Sequence, residues 1–252
     1  MATAGVIARS AMFALAVTVI TPPYAVLALL VAPLPALTRY RIVTSWSRVV
    51  VSLARVICRI RYRVEGEASP RGGPYIVLAN HQSAWETLAF QAIFPPQVLV
   101  VKRGLLWIPF FGWGLATLSP ITIKRGARTQ SLRRLGEQGK DRLRRGFWVV
   151  IFPEGTRVRD GARIKFQSGG AWLACRADTP VIPVAHNAGS VWPRNSFLKY
   201  PGTVTVSIGA PTACAGRSAD ALNSEIQKWI EAQMQRIGTA RAGAPIPRPE
   251  SS

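Results

Sequence analysis

Histidine is scarce in this chain: two residues among 252, His81 and His186, so chemistry that needs a base near neutrality has two candidates. Cysteine is nearly as rare. Cys58, Cys175 and Cys214 are odd in number, widely spaced and free of any C-x-x-C pair, which argues against a disulfide framework or a zinc site and leaves three reduced, buried fillers. No G-x-S-x-G elbow occurs and no cysteine shares a motif with a histidine, so a covalent nucleophile is disfavoured. Internal repeats are absent. Acidic residues are few, 12 against 32 Lys and Arg, and the net charge of +20 implies polyanionic partners, either nucleic acid or anionic lipid.

Charge is missing altogether from Ser10 to Thr38, a run long enough to cross a bilayer or lie deep in it. It exceeds the apolar core of a cleavable signal peptide. Membrane contact therefore outranks nucleic acid, and the aromatic residues cluster in apolar context instead of alternating with basic ones. Basic residues follow the run densely, from Arg39 to Arg63, which keeps that flank on the cytoplasmic side. Pro22 and Pro23 interrupt the run and predict a kinked span or a helix that enters and turns. The stretch Ile42–Ile60 carries Arg48, Arg55 and Arg59 at spacings of seven and four and reads as one interfacial helix. These residues, 1–63, form an N-terminal membrane-anchoring unit, and residues 64–238 form the following domain. The tail 239–252 has little to bury and is expected to be disordered.

From Pro70 onward, short apolar runs punctuated by Gly and Pro alternate with helical patterns, the signature of an α/β fold. Strands are expected at 75–79, 98–101, 121–124, 147–152, 181–185 and 204–208. Helices are expected at 84–93, 129–144, 169–177 and 219–236, the last capped by Ser218 with Leu222, Ile226, Trp229, Ile230 and Met234 on one face. The architecture is a mixed, mostly parallel sheet flanked by helices. The aromatic stretch LLWIPFFGWG, Leu105–Gly114, suits a membrane-facing or ligand-lining wall as well as it suits a core.

Candidate chemistry lies in NHQSAWE, Asn80–Glu86. His81 follows a buried strand, where α/β folds place ligands. Ser83 and Glu86 match the capping box S-x-x-E. Glu86 can also hold one imidazole nitrogen of His81 while the other takes a hydroxyl proton, provided that His81 lies outside the helix. A second strand, FWVVIF, runs into PEGTR, which brings Glu154, Gly155, Thr156 and Arg157 to another strand end. The arginine fork suits a phosphate, and Arg125, just past the strand ITIK, can supply a second cation. Glu154 would repel a phosphate unless turned to another partner, so it is expected to orient the loop.

Asn-His with an acid five residues on, ITIKR at 121–125, FPEGTR at 152–157 and VIPVAHNAG at 181–189 occur in order. Together they resemble the blocks of the glycerolipid acyltransferases, the family of the lysophosphatidic acid acyltransferases. Glu86 stands where the family more often has Asp, and Lys124 where it has an acid. The resemblance implies catalysis by His81 and Glu86, and substrate binding by Lys124, Arg125, Glu154, Gly155, Thr156 and Arg157, with Pro183 shaping the acyl site. It implies an acyl thioester of coenzyme A or acyl carrier protein as donor and lysophosphatidic acid as acceptor. No cofactor or metal is required, and the setting implied is the inner membrane, facing the cytoplasm. An acceptor such as lyso-ornithine lipid, or a basic membrane-binding protein without catalysis, are the alternatives.

Overall fold

A computed structural model of the chain describes residues 3–123, 128–159, 162 and 164–239. Seven strands form one sheet: β1 Ile60–Glu65, β2 Ile76–Ala79, β3 Gln97–Lys102, β4 Ile121–Ile123, β5 Trp148–Ile151, β6 Val181–His186 and β7 Gly202–Ile208. Their spatial order is β1-β7-β6-β2-β5-β3-β4, and every pairing is parallel except β6 with β7. The mixed, mostly parallel sheet is thus present. Central β2 and β5 are buried at every position, so unbroken apolar runs are what both faces demand.

Among the described residues, eight helices surround the sheet: α1 Ala4–Leu30, α2 Ala36–Val43, α3 Ser45–Ile57, α4 Trp85–Ile93, α5 Phe111–Thr117, α6 Arg128–Arg144, α7 Gly169–Ala177 and α8 Ala219–Thr239. Strand alternation divides the core into two layers. Val77, Val150, Ile182 and Val184 pack with Val50 and Ala54 of α3 and Trp85 and Phe90 of α4. Ile76, Leu78, Val149 and Val181 pack with α6, α7 and α8, where Leu222, Ile226 and Ile230 are buried as expected. The Ser218 hydroxyl accepts from the Ala221 N–H at 3.1 Å and supports the start of α8.

Several expectations need correction. Strand β1 was not foreseen: its pairing with β7 runs from Ile60↔Gly202 to Glu65↔Ser207. Only Ile60 of this edge strand is buried, and arginines on an exposed edge discourage pairing with other chains. The helix expected over Ile42–Ile60 divides at Thr44, between α2 and α3, and Ile60 already belongs to the sheet. Helix α1 continues through Pro22 and Pro23, and the Thr21 hydroxyl donates to the Val17 carbonyl one turn before them. Its 27 residues extend about 40 Å, more than the ~30 Å of a hydrocarbon core. Only 17% of its apolar window is buried. Phe13 meets Trp192 edge-on, and the Ser10 hydroxyl accepts from the Lys199 N–H at 2.9 Å, so one face is fastened to the sheet domain. Finally, Cys175 on α7 and Cys214 before α8 form a disulfide with Cα atoms 5.1 Å apart, and Cys58 alone is a free thiol, which is buried. The two partners are 39 residues apart, with β6 and β7 between them in the chain. The tail expected to be disordered, 239–252, lies outside the described residues from 240 onward, and Thr239 is the last residue of α8.

Candidate active site

Parallel neighbours β2 and β5 end at the same sheet edge, so Asn80–Glu86 and Phe152–Arg157 emerge side by side. On the other flank of β2, Asn80 is locked to the end of β6. Its amide donates to the His186 carbonyl and its Oδ1 accepts the His186 N–H, both at 2.9 Å. The His186 ring also serves this lock: Nε2 donates to the Asn80 carbonyl at 2.8 Å and Nδ1 accepts from the Ala188 N–H at 3.3 Å. With His186 fully buried, its role is to fix the strand end from which His81 departs. Asn80 and Gln82, whose Oε1 accepts from the Gly189 N–H at 3.1 Å, are site-building residues that sequence reasoning passed over. A buried amide next to a motif histidine was the available signal.

His81 lies outside α4, and its Nδ1 is 2.7 Å from Glu86 Oε1. The same oxygen accepts the Gln82 and Ser83 N–H groups at 2.9 and 2.8 Å. One Glu86 rotamer therefore serves both the helix start and the histidine. Ser83 is not the cap expected: Ala84 holds that position, and the Ser83 hydroxyl accepts from Trp85 N–H instead. A carboxylate can only accept, so Nδ1 carries the proton, and in the neutral ring that tautomer leaves the lone pair on Nε2. The ring stacks on Phe152 with centroids 4.2 Å apart, a support that no motif announced. The His81 side chain is 15% exposed against 0% for Glu86, which leaves the histidine as the reachable member.

The FPEGTR loop grips the histidine by its backbone. Glu154 Oε2 accepts the His81 N–H at 2.9 Å, and the His81 carbonyl accepts the Val158 N–H at 2.7 Å. Glu154, expected among the substrate contacts, thus spends this oxygen on the histidine's peptide, in keeping with a loop-orienting duty. Gly155 turns the loop at φ +66, where a Cβ would come within 2.9 Å of the Gln167 amide nitrogen. Thr156 and Arg157 are half-buried. Val158 is anchored on His81, so Arg157 starts one residue, about 3.8 Å along the chain, from that contact. Its guanidinium forms no ion pair with Glu154 or with any other acid among the described residues. Lys124 and Arg125 lie outside the described residues. Pro183 lies inside β6, which continues to His186, and its ring faces the α8 side against Gly209. A small apolar cavity lies between α1, α3, α4 and α5, lined among others by Trp46, Leu88, Leu99 and Phe111.

The two carboxyls sit in different fields. Burial raises Glu86, but His186, the His81 hydrogen bond and charge, and the Ser83 N–H outweigh it and hold the carboxyl below its usual value. Glu154 is pushed up to about 8 by burial, opposed by the His81 N–H and reinforced by the Glu86 charge. The sign follows from proton binding. Between the unfolded value of about 4.3 and the folded value of about 8, the folded chain holds a proton that the unfolded chain has lost. Stability is therefore full below that window and declines as pH rises through it. Glu154→Gln keeps an acceptor for the His81 N–H without a titrating proton. The melting temperature of the variant, relative to wild type, should climb steadily from mildly acidic to mildly alkaline pH; a constant difference would contradict the raised carboxyl.

A mostly parallel α/β sheet thus carries a histidine–carboxylate pair at its carboxyl edge, with an arginine-bearing loop clamped to that histidine, where α/β enzymes place their ligands. The family is given by comparison. The model of the Acyltransferase family matches residues 61–187, and the chain belongs to that family. A Pseudomonas aeruginosa protein named 1-acyl-sn-glycerol-3-phosphate acyltransferase is 40% identical over 246 residues, covering 96% of each chain. The Escherichia coli protein of the same name is 36% identical over 113 residues, 44% of this chain and 46% of its own. Among solved structures, the 1-acyl-sn-glycerophosphate (LPA) acyltransferase PlsC from Thermotoga maritima shares the fold, with a TM-score of 0.78 at 23% identity over 92% of this chain and 96% of that one.

Proposed function

We propose that the chain transfers a fatty acyl group from a thioester of coenzyme A or acyl carrier protein to the sn-2 hydroxyl of 1-acyl-sn-glycerol-3-phosphate. The product is phosphatidic acid, made for phospholipid synthesis at the cytoplasmic face of the inner membrane. The observation that carries this reading is the 2.7 Å His81–Glu86 contact, which commits Nδ1 to the carboxylate and leaves the other ring nitrogen for the acceptor, on a residue clamped to the loop of Arg157. The names of the relatives support the acceptor.

In this mechanism Nε2 of His81 takes the proton of the acceptor hydroxyl as its oxygen attacks the thioester carbonyl. Glu86 stabilises the imidazolium that forms. The tetrahedral intermediate collapses with loss of the thiolate, which receives the proton back from His81. No covalent enzyme intermediate or cofactor is needed. Arg157, with Arg125 and Lys124 from the neighbouring block, grips the phosphate, and Thr156 and Gly155 shape the loop that presents it. Both donors are anionic and match the +20 charge. Residues 1–63 anchor the enzyme to anionic lipid, and 64–238 form the acyltransferase domain.

Arg157→Ala tests the phosphate grip. Loss of a charge-assisted contact worth about 1.5–3 kcal/mol should raise KM for lysophosphatidic acid by about 10- to 100-fold. A lysolipid acceptor without a phosphomonoester should be affected far less. Equal losses on both acceptors would remove Arg157 from phosphate binding.

A further inference from the structure

The segment from Arg103 to Trp113, a short 3-10 turn running into α5, exposes its apolar side chains instead of burying them. Trp107 is 78% exposed, and Ile108, Phe110 and Trp113 are 40–43% exposed. A soluble surface rarely gathers such side chains in one place. The tip is also stiff. The Phe111 and Gly112 N–H groups donate to the Pro109 and Ile108 carbonyls, each at 2.7 Å. A Cβ on Gly112 would lie 2.3 Å from the Leu106 carbonyl oxygen, so only glycine permits this closure. These backbone groups find their partners locally, as entry into an apolar medium requires.

The patch continues the exposed face of α1. Gly114 lies against Ala28 of α1, where a Cβ on the glycine would come within 3.9 Å of the Ala28 methyl, and the Phe111 ring meets Trp46 of α3. Arg39 ties the two regions at their far end, donating to the Ala32 carbonyl and to the Ser119 hydroxyl. The neighbouring part of α1 presents Val26, Leu29 and Leu30 to the outside at 49–71% exposure. Arg103, exposed at the root of the segment, is placed to meet headgroup phosphates while the aromatic tip enters below them.

We infer that Leu105–Trp113 is a second membrane-inserting element, a rigid aromatic wedge led by Trp107 that enters an anionic lipid surface beside α1. It holds the sheet domain to the bilayer by a contact separate from the N-terminal helix. A wedge of this kind reaches about 5–10 Å into the boundary between headgroups and acyl chains.

The test uses the full chain with one introduced thiol carrying a polarity-sensitive fluorophore, at Trp107→Cys, at Leu15→Cys on α1, or at Ser224→Cys on α8. The native cysteines are buried or paired. Each labelled protein is placed in vesicles of phosphatidylethanolamine and phosphatidylglycerol bearing nitroxides on the acyl chains. Quenching at position 107 should be comparable to position 15 and several-fold above position 224. Quenching at 107 no greater than at 224 would overturn the inference, even with position 15 strongly quenched and membrane binding by α1 intact. Shielding of position 107 from aqueous iodide without quenching by lipid would assign the patch to a second protein copy, and so would also overturn it.

Discussion

Glu86→Ala is expected to cost about 3–5 kcal/mol of stability, the usual penalty for removing one partner of a buried pair, and to reduce acyl transfer to background. The cause is local. One carboxylate oxygen serves the Gln82 and Ser83 N–H groups and the His81 ring at once, in a fully buried position. Alanine leaves these donors without an acceptor where water does not replace it. Glu86→Gln separates the two duties, because the amide oxygen still accepts while the negative charge is gone. Its denaturant midpoint should approach that of wild type, with transfer about 10²-fold or more below it, the order of a general-base contribution. A fully active glutamine variant would reduce Glu86 to a capping residue. The carboxyl is held below its usual value, so the stability it contributes is present at neutral pH and lost in acid as pH falls through the lowered value.

His81→Ala should lower kcat for transfer by about 10²–10⁴-fold with the fold retained. That factor corresponds to about 3–5 kcal/mol of transition-state stabilisation. Glu86 keeps its two backbone donors in this variant, and the Asn80–His186 lock does not involve the His81 side chain. Circular dichroism and thermal unfolding should therefore remain close to wild type while turnover collapses. Collapse of the fold together with activity would instead mark His81 as structural.

Six of the seven strands were legible because buried parallel strands write themselves as unbroken apolar runs, as in IVLA of β2 and WVVI of β5. The seventh, IRYRVE of β1, is an exposed edge held by its pairing with β7, and alternating arginines disguise it as part of a basic helix flank. An apolar N-terminal segment followed from absent charge, but the bounds of α1, Ala4–Leu30, and its continuity through two prolines did not. The His81–Glu86 contact was legible from spacing, since a strand end and a helix start bring residues five apart together. The grip of Glu154 and Val158 on the two sides of the His81 peptide was not, because backbone hydrogen bonds between distant loops leave no residue-type signature. The Cys175–Cys214 bridge was hidden for a similar reason: its partners are joined by tertiary packing of α7 against the approach to α8.

The central claim is that an imidazole at the sheet edge deprotonates a lipid hydroxyl beside a phosphate-binding arginine. It is tested most directly by the initial rate at which purified wild-type and His81→Ala proteins in lipid vesicles convert labelled lysophosphatidic acid and an acyl thioester to phosphatidic acid. Steady product from the wild type and essentially none from a folded His81→Ala protein is the predicted result. Turnover by the alanine variant within a few-fold of wild type, or none by wild type with either thioester, would contradict it.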